Sequence, residues 1–360
     1  MTIRVAPGAL VALLLLVSAE RAAMFKLFQS IFGSAPVKGG GHPASLVEAA
    51  IERAIEATDP RIRAASGYRR KLEPAVVHAL DHVKALALGM PAPVEASRAT
   101  YANDARLAAF FASPERMSQV FGADRTLFDY LASPAGTGTE PVLALLIVER
   151  TEKKVLGMAL QGDQVQRDVA QVQVSFDKHR LVDPCAAEDD LRRAIGRRAY
   201  DHLLSMALAR VAEVGGERES LEASQSVLRA KLRAVKSARL DFSEGGGGAP
   251  PDAAAIEAKL ADIESQLAAT GTGPTVIAKH LDLIAESLLR AEEQLWVEPV
   301  TILMDRLGIK QACPGNTTIE LQLRELRNAA GATAVPLPVA IPRGEIPKRD
   351  ILAEVRRELM

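Results

Sequence analysis

A heptad-like spacing of apolar residues dominates the second half of this chain. Leu221, Leu228 and Val235 recur every seven residues, and Leu232 lies between them. A repeat of this kind places apolar side chains along one narrow stripe of a helix, and such a stripe requires a partner helix. The spacing therefore predicts long helices that pack along a shared seam.

A second apolar stripe follows the segment FSEGGGGAPPD, which is rich in glycine and proline. Its members, in a four-three-four rhythm, are Ile256, Leu260, Ile263 and Leu267. A tight reversal between two helices makes them antiparallel neighbours. We therefore predict a coiled-coil-like helical hairpin over residues 186–296, with its tip near residues 245–251. Gly215-Gly216 and the segment GTGPT (271–275) predict a break at the same level of each arm.

Strand-like segments precede the helical stretch, within residues 141–183. Residues 142–149 are nearly all apolar, which indicates a central strand, and residues 154–161 and 169–176 are also strand-like. The segment RTEKK between the first two is the predicted hairpin turn. An antiparallel arrangement of these strands, with one wet face, fits the pattern.

Strand-like segments return after the helical stretch, over residues 297–346. The last of them alternates apolar residues with Pro336 and Pro338, and Pro342 follows. Proline donates no main-chain hydrogen bond, so this segment is predicted to be an edge strand.

The predicted fold is α+β, because strands flank the helices on both sides. A helical region over residues 44–135 comes first, then an antiparallel sheet that the long helical hairpin interrupts. Residues 347–360 are predicted to close the chain as a helix.

The N-terminus permits three interpretations. Residues 1–23 contain Arg4 and then an uncharged run from Val5 to Ala19, which resembles a secretory signal with cleavage near Ala19. Alternatively, translation starts at Met24 and the protein is cytoplasmic. A membrane contact is expected only if residues 5–19 are retained as a short anchor. In each case, residues 24–43 are predicted to form an amphipathic start followed by a Gly/Pro linker.

Charge and cysteine content argue against a protein that is basic overall and against a zinc-binding or disulfide-rich scaffold. The formal net charge of the 360 residues is -1, which gives no global attraction to nucleic acid or anionic lipid. The two cysteines, Cys185 and Cys313, form neither a zinc pattern nor a disulfide framework, and we expect both to be partly buried.

One short motif has the spacing of a metal site. His78 and His82 are four residues apart on a predicted helix, with Asp81 between them. Such a pair can hold one zinc ion, and a neighbouring carboxylate can act as a general base. A helical wheel instead places all three side chains opposite the apolar face, which indicates a solvated surface. A metal-dependent hydrolase that uses these residues is the alternative function.

The basic run from Arg229 to Arg239 suggests a second alternative, contact with nucleic-acid phosphates. Antiparallel pairing places this run opposite an acidic stretch that includes Asp262 and Glu264, so we expect internal ion pairs instead.

The leading hypothesis is a non-catalytic interaction or scaffolding protein. The chain contains neither a GxxxxGK[ST] phosphate loop nor a GxSxG nucleophile elbow. We expect no cofactor, no nucleic-acid partner and a helical hairpin that mediates partner binding or self-association.

Overall fold

The computed structural model describes residues 41–161, 164–240, 251–270, 274–315 and 318–347. These residues divide into two compact units. The sheet unit comprises residues 80–200 and 292–347, and the helical unit comprises residues 41–79 and 201–291.

The described residues form helices and strands in an α+β arrangement, as predicted. Helices α1 to α9 span, in chain order, Ala44–Ala57, Tyr68–Leu88, Ala105–Phe110, Pro114–Ala123, Arg125–Ala132, Glu188–Leu240, Pro251–Thr270, Pro274–Leu289 and Ala291–Gln294. Short 3-10 helices occupy Pro60–Ala64 and Arg343–Glu345. Strands β1 to β6 span Val94–Glu95, Val142–Gln161, Gln164–Cys185, Leu295–Met304, Ile319–Asn328 and Thr333–Ile341.

Within the described chain, the strands form one six-stranded sheet with the order β3-β2-β6-β5-β4, and β1 pairs with β6. The five strands of the main path are antiparallel, whereas β1 runs parallel to β6. β2 and β3 precede the long helices, and β4 to β6 follow them. The prediction that one sheet is interrupted by a helical segment is therefore confirmed.

The apolar start of β2 is central, as predicted, and it is covered on both faces. Ala144, Leu146 and Val148 belong to an apolar cluster that includes Phe110, Phe121 and other residues of α3 to α5. Leu145 and Ile147 belong to a second cluster with Ala87, Leu191 and Ile195. Because successive strand residues point to opposite faces, a nearly continuous apolar run suits a strand with both faces covered. The expected wet face is therefore absent along this described part of β2.

The proline-containing strand β6 is not an edge strand, so that prediction is wrong. β6 lies between β2 and β5 in the sheet. The main-chain oxygen of Ala340 accepts a hydrogen bond from the nitrogen of Ala96, 2.8 Å away, on the side opposite β2. Main-chain groups of alternate strand residues point to the same side, so Pro336 and Pro338 also face away from β2.

That side of β6 is paired only at its two ends within the described residues. β5 pairs with Thr333 and Ala334, and β1 pairs with Val339 and Ala340. The prolines therefore occupy positions where no ladder hydrogen bond is required of them. Proline is tolerated in a central strand here because the neighbouring strand changes along its length.

β2 and β3 form one long antiparallel ribbon of 20 and 22 residues. The segment RTEKK is part of β2 and not a turn, since Arg150 pairs with Phe176 and Lys154 pairs with Val172. This segment contains no glycine, proline or asparagine, the residues that a tight hairpin turn favours. Its polar character reflects the exposure of Glu152, Lys153 and Lys154 on β2.

Three register shifts interrupt the ribbon, and each adds its extra residue to β3. Between the pairs Ile147–Arg180 and Glu149–Asp177, for example, β2 advances by two residues and β3 by three. Asp168, Lys178 and Asp183 lie at the three shifts with φ values of 59°, 55° and 53°. These are β-bulges, which strengthen the local twist of a strand.

The helical unit buries one face of each of its shorter helices. α1 buries a stripe that contains Leu46, Ala50, Ile51, Ala54 and Ile55, as the spacing of these residues predicts. α8 buries a stripe around Leu281, Ile284 and Leu288.

α6 is continuous through Gly215-Gly216, so the predicted break there is wrong; the second break, at 271–275, lies largely outside the described residues. A glycine pair lowers helix propensity by about 2 kcal/mol relative to alanine, which a 53-residue helix can tolerate.

Candidate functional site

The candidate interaction site is the part of the helical unit that extends beyond Val211, the last described α6 residue that is fully buried. We call α6 from residue 212 onward, together with α7, the helical arm. Its predicted seam residues on α6, Leu221, Leu228 and Leu232, are half-buried. The side chain of Val235 and the hairpin tip at residues 245–251 lie largely outside the described residues.

The seam residues on α7 are more deeply placed. Ile256 and Leu260 are buried, and Ile263 and Leu267 are half-buried. The apolar residues that the heptad pattern selects are therefore partly withdrawn from water in both helices. An apolar stripe that lies in a seam is expected to behave in this way.

Polar contacts show in which direction the helices pair. Arg210 of α6 contacts Ser287 of α8 at 3.2 Å, and Arg229 contacts Glu264 of α7 at 2.8 Å. Arg229 comes after Arg210 in the chain, whereas its partner Glu264 comes before Ser287. Contacts in this order are those of antiparallel helices. The complete hairpin stays a prediction, because residues 241–250 and 271–273 lie outside the described chain.

The basic run is partly engaged within the arm. Arg229 forms its ion pair with Glu264, and both side chains are about half-exposed. Gln225 also donates a hydrogen bond to Glu264, at 3.3 Å. The side chains of Arg233, Lys236 and Arg239 lie outside the described residues, so contact with nucleic acid stays a prediction.

One large apolar side chain of the arm faces solvent. Val227 is 67% exposed, although it is adjacent to the half-buried Leu228. Apolar exposure next to a half-filled seam is typical of a surface that a further helix could cover.

The three residues of the histidine motif differ in their exposure to solvent. His78 is half-buried and Asp81 is exposed, as a surface position predicts for Asp81. The side chain of His82 is only 10% exposed, and its Nε2 lies 2.7 Å from the main-chain oxygen of Leu295. A carbonyl oxygen only accepts, so Nε2 donates this hydrogen bond. The prediction that the side chain of His82 is exposed to solvent is therefore wrong.

Among the described residues, no group of three or more His, Cys, Asp or Glu side chains could hold a metal ion. Nδ1 of His82 faces Glu292 at 3.9 Å and is the ring nitrogen that remains for a metal. The metal-dependent hydrolase stays a prediction that no contact in this region supports.

Asp59 and His280 form a buried polar pair in the helical unit that the sequence did not predict. Nδ1 of His280 donates a hydrogen bond to Oδ2 of Asp59 at 2.7 Å. The carboxylate of Asp59 also accepts hydrogen bonds from the main-chain nitrogen and the guanidinium of Arg61. Asp59 is thereby the N-cap of the 3-10 helix. Hydrogen bonding to Arg61 is the main cause that lowers the pKa of Asp59 to about 2; burial opposes it and His280 assists it.

A second buried charge lies in the sheet unit. Glu325 of β5 is fully buried and accepts hydrogen bonds from Arg150 at 2.6 Å and from Arg327 at 2.8 Å. Burial raises the pKa of Glu325, but the two arginines outweigh it and hold the pKa below its ordinary value. Arg327 also contacts Glu298 of β4 at 2.9 Å. The cluster connects β2, β4 and β5. The alternation of apolar and polar residues in the sequence does not distinguish Glu325 from the other acidic residues.

A cleft of about 570 Å³ opens in the sheet unit where β5 and β6 diverge. Its lining includes Arg324 of β5, Pro336 of β6 and the Asp104–Arg106 pair at the start of α3. Burial raises the pKa of Asp104, but Arg106 holds it below its ordinary value. An acid that is already ionised, paired and capping a helix is poorly placed to transfer protons.

The two cysteines differ in exposure. Cys313 is exposed, so the expectation of partial burial is wrong for it, whereas Cys185 is half-buried. Burial is the main cause that raises the pKa of the Cys185 thiol to about 12. A thiol of this kind is a weak nucleophile at neutral pH.

Comparisons with protein-family models, with curated proteins and with solved structures give no match for this chain. Within the described residues, no helix has both the length and the apolar character needed to cross a membrane. The N-terminal segment, residues 1–40, lies outside the described chain, so its interpretations stay predictions.

Proposed function

We propose that this protein is a non-catalytic interaction protein whose helical arm binds a protein partner or a second copy of itself. The observation that carries the proposal is the incomplete burial of the seam: Leu221, Leu228 and Leu232 are half-buried, and they lie beyond Val211, the last buried residue of α6 among those whose burial is described. A solitary two-helix arm leaves such residues in partial contact with water, and a further helix would cover them.

The length of the arm supports this role. From Val211 to Leu240 the rise of an α-helix gives about 40 Å. Few described side chains along this length are buried, so most of the surface of the arm is available for binding. Apolar residues flanked by Arg229 and Glu264 provide a seam with a charged border, which is the usual arrangement in helix-to-helix recognition.

A truncation tests the proposal directly. Residues 217–269 are replaced by a short Gly-Ser linker, and both the oligomeric mass and the proteins that co-purify are compared with the full chain. We expect a bound partner or a self-associated state to be lost. An arm-less protein with unchanged mass and unchanged partners would contradict the proposal.

Point variants separate binding from folding. Val227→Glu and Leu221→Glu place a charge on the arm, and Leu289→Glu is the matched control, because Leu289 is an exposed apolar residue of α8 outside the arm. Binding should weaken in the first two variants and persist in the control. Circular dichroism and thermal unfolding confirm that each variant keeps its helices.

A further inference from the structure

One edge of β5 is open over most of its length. β6 pairs with β5 only at Leu326 and Arg327, near the turn that joins the two strands, although β5 begins at Ile319. Beyond these pairs the strands diverge, and residues of both line the cleft of about 570 Å³. A cleft of this volume is in the range of ligand-binding sites, so the chemistry of its walls indicates what it can hold.

Two hydrogen bonds show which main-chain groups of β5 face this cleft. The nitrogen of Asn328 donates to the oxygen of Ala332, on the side of β6, at 3.2 Å. The nitrogen of Ala329 donates to the oxygen of Gln294, on the side of β4, at 3.0 Å. Main-chain groups of alternate strand residues point to the same side, and β5 pairs with β4 without a register shift. The even-numbered residues of β5 therefore direct their main-chain groups away from β4.

Three of these residues present main-chain groups to the cleft. They are Glu320, Gln322 and Arg324, and all three line it. Among the described residues, no strand and no loop pairs with their main-chain nitrogen or oxygen atoms on this side. Each residue offers one N–H donor and one C=O acceptor, repeated at every second position. The edge is therefore a regular set of donors and acceptors that lacks a neighbouring strand.

The prolines of β6 explain why β6 does not pair with this edge. If the register of Leu326 with Ala334 continued, Pro336 would lie opposite Arg324, and Pro338 opposite Gln322. A proline has no N–H to donate, so continued pairing would leave the oxygens of Arg324 and Gln322 without a donor. An extended segment whose residues carry N–H groups would supply that donor.

The side chains along this edge add a charge pattern. Glu320 and Arg324 are exposed, and neither forms an ion pair with another described residue. Gln322, between them, donates a hydrogen bond to Glu320 at 3.1 Å. The other two charged residues that line the cleft, Asp104 and Arg106, pair with each other. The cleft therefore has a free acid and a free base on one strand face, about 13 Å apart along β5.

Another part of the cleft wall is apolar. Leu323 of β5, Leu337 of β6 and Phe110 of α3 line it, and all three belong to the apolar cluster that contains Leu146. Side chains of a strand alternate between its two faces. A segment paired with β5 therefore directs the residues opposite Leu321 and Leu323 towards this wall, where apolar side chains are favoured.

We propose that this cleft binds an extended segment of a partner protein as an added strand, antiparallel to β5 along residues 320–324. An extended peptide backbone is the ligand whose donors and acceptors repeat with the spacing of this edge. Antiparallel pairing is the more stable of the two directions. The inference goes beyond the proposed function, because it uses the sheet unit and not the helical arm.

The charges and the apolar wall define the chemistry of the bound segment. From its N-terminus, five successive residues are acidic, apolar, polar, apolar and basic. In antiparallel pairing this order places the acid opposite Arg324 and the base opposite Glu320, and opposite charges in such positions stabilise a strand pair. The two apolar residues then lie opposite Leu323 and Leu321.

Two labelled peptides with blocked termini test the proposal on the full chain, by fluorescence anisotropy. The first, Thr-Glu-Val-Gln-Val-Lys-Thr, has the expected order of charges, and the second, Thr-Lys-Val-Gln-Val-Glu-Thr, exchanges acid and base. The first peptide should bind in a saturable manner. Its Kd should be at least about fivefold lower than that of the second peptide, because antiparallel pairing places opposite charges together only in the first.

An exchange of the two charged residues is the matched variant. Glu320→Arg combined with Arg324→Glu keeps the composition of the edge and should reverse the preference, so that the second peptide binds more tightly. Arg306→Glu is the control, because Arg306 is also exposed and forms no ion pair with another described residue, but does not line the cleft. The control should keep the preference of the wild type.

A further variant tests the main chain directly. Gln322→Pro removes an N–H that faces the cleft, whereas the odd-numbered residues of β5 make the hydrogen bonds to β4 and keep them. The Kd of the first peptide should rise at least about tenfold. Circular dichroism and thermal unfolding check that the sheet is retained.

Three results would overturn the inference: no saturable binding by the wild type, equal affinity for the two peptides, or a preference that the charge exchange leaves unchanged. Replacement of residues 217–269 by the Gly-Ser linker should leave peptide binding intact. Binding that is lost on this replacement, and that the cleft variants do not affect, would assign the peptide to the helical arm instead.

Discussion

Nδ1 of His280 lies 2.7 Å from Oδ2 of Asp59, and both side chains are almost fully buried. Asp59 also begins the 3-10 helix that follows α1, whereas His280 belongs to the apolar face of α8. One carboxylate therefore connects the 3-10 helix to α8 within the helical unit. Such a group stabilises the fold only while its charge and its partners are all present.

Replacement of Asp59 by alanine should destabilise the helical unit strongly. The change leaves His280 without its acceptor and the 3-10 helix without its cap, so we expect a loss of about 3 kcal/mol in the free energy of unfolding. Asp59→Asn keeps an acceptor oxygen and should lose roughly half as much. Chemical denaturation measures both, and Glu48→Ala, which removes an exposed ion pair with Arg69, should change stability by less than about 0.5 kcal/mol.

Asp59 should also make the protein sensitive to strong acid. Its pKa is about 2 in the folded state against an ordinary value of 3.8, so its contribution is complete above about pH 4 and is lost as the pH falls through 2. The difference corresponds to about 2 kcal/mol. Unfolding measured between pH 4 and pH 2 should show this loss in the wild type and not in Asp59→Asn; parallel pH profiles would contradict the assignment.

His202 should cause a separate loss of stability at milder acidity. Burial lowers its pKa to about 4 from 6.5. Between these two pH values the imidazole stays neutral in the folded state but is protonated in the unfolded chain. Stability is unaffected above about pH 6.5 and declines as the pH falls towards 4, by up to about 3 kcal/mol. His202→Leu should flatten the profile in this window, and an unchanged slope would show that other groups are responsible.

Removal of Glu325 alone should be more harmful than removal of Glu325 together with Arg150. Glu325→Leu leaves Arg150 and Arg327 facing a buried apolar position, and we expect a loss of about 3 kcal/mol. The double variant with Arg150→Met should recover much of that loss, because the buried charge is removed with its partner. Denaturation of the two single variants and the double variant forms the required cycle; strictly additive losses would argue against coupling.

The two thiols should react at very different rates. Cys313 is exposed, whereas Cys185 is half-buried with a pKa of about 12 and therefore contains little thiolate near pH 7. Titration of the native protein with a thiol reagent should show one fast and one slow cysteine. Cys313→Ser should abolish the fast phase, and denaturant should make Cys185 reactive.

Local patterns in the sequence predicted the elements that depend on local rules. The apolar run at 142–149 predicted the central part of β2, and the spacing of Leu46, Ala50 and Ile51 matches the buried face of α1. In each case the period of the residues matches the geometry of one element. The α+β class follows from the order of such elements.

Relations between distant residues could not be predicted in the same way. Asp59 and His280 are 221 positions apart, and neither has a distinctive sequence context. β6 can be central because, on the side away from β2, no strand pairs with Pro336 and Pro338 among the described residues. That gap depends on where the pairing of β5 with β6 ends. His82 is withdrawn from solvent by contact with Leu295, which follows the whole helical segment in the chain.

The bulges at Asp168, Lys178 and Asp183 divide β3 into regular stretches, each with its own alternation of inward and outward residues. The alternating stretch at residues 169–176 lies between the first two bulges, which is why it alone has a clear strand pattern. A gain or loss of one residue in a regular strand exchanges the two faces of everything beyond it. In β3 each bulge already accommodates one extra residue against β2, and so restores the alternation of faces on either side of it.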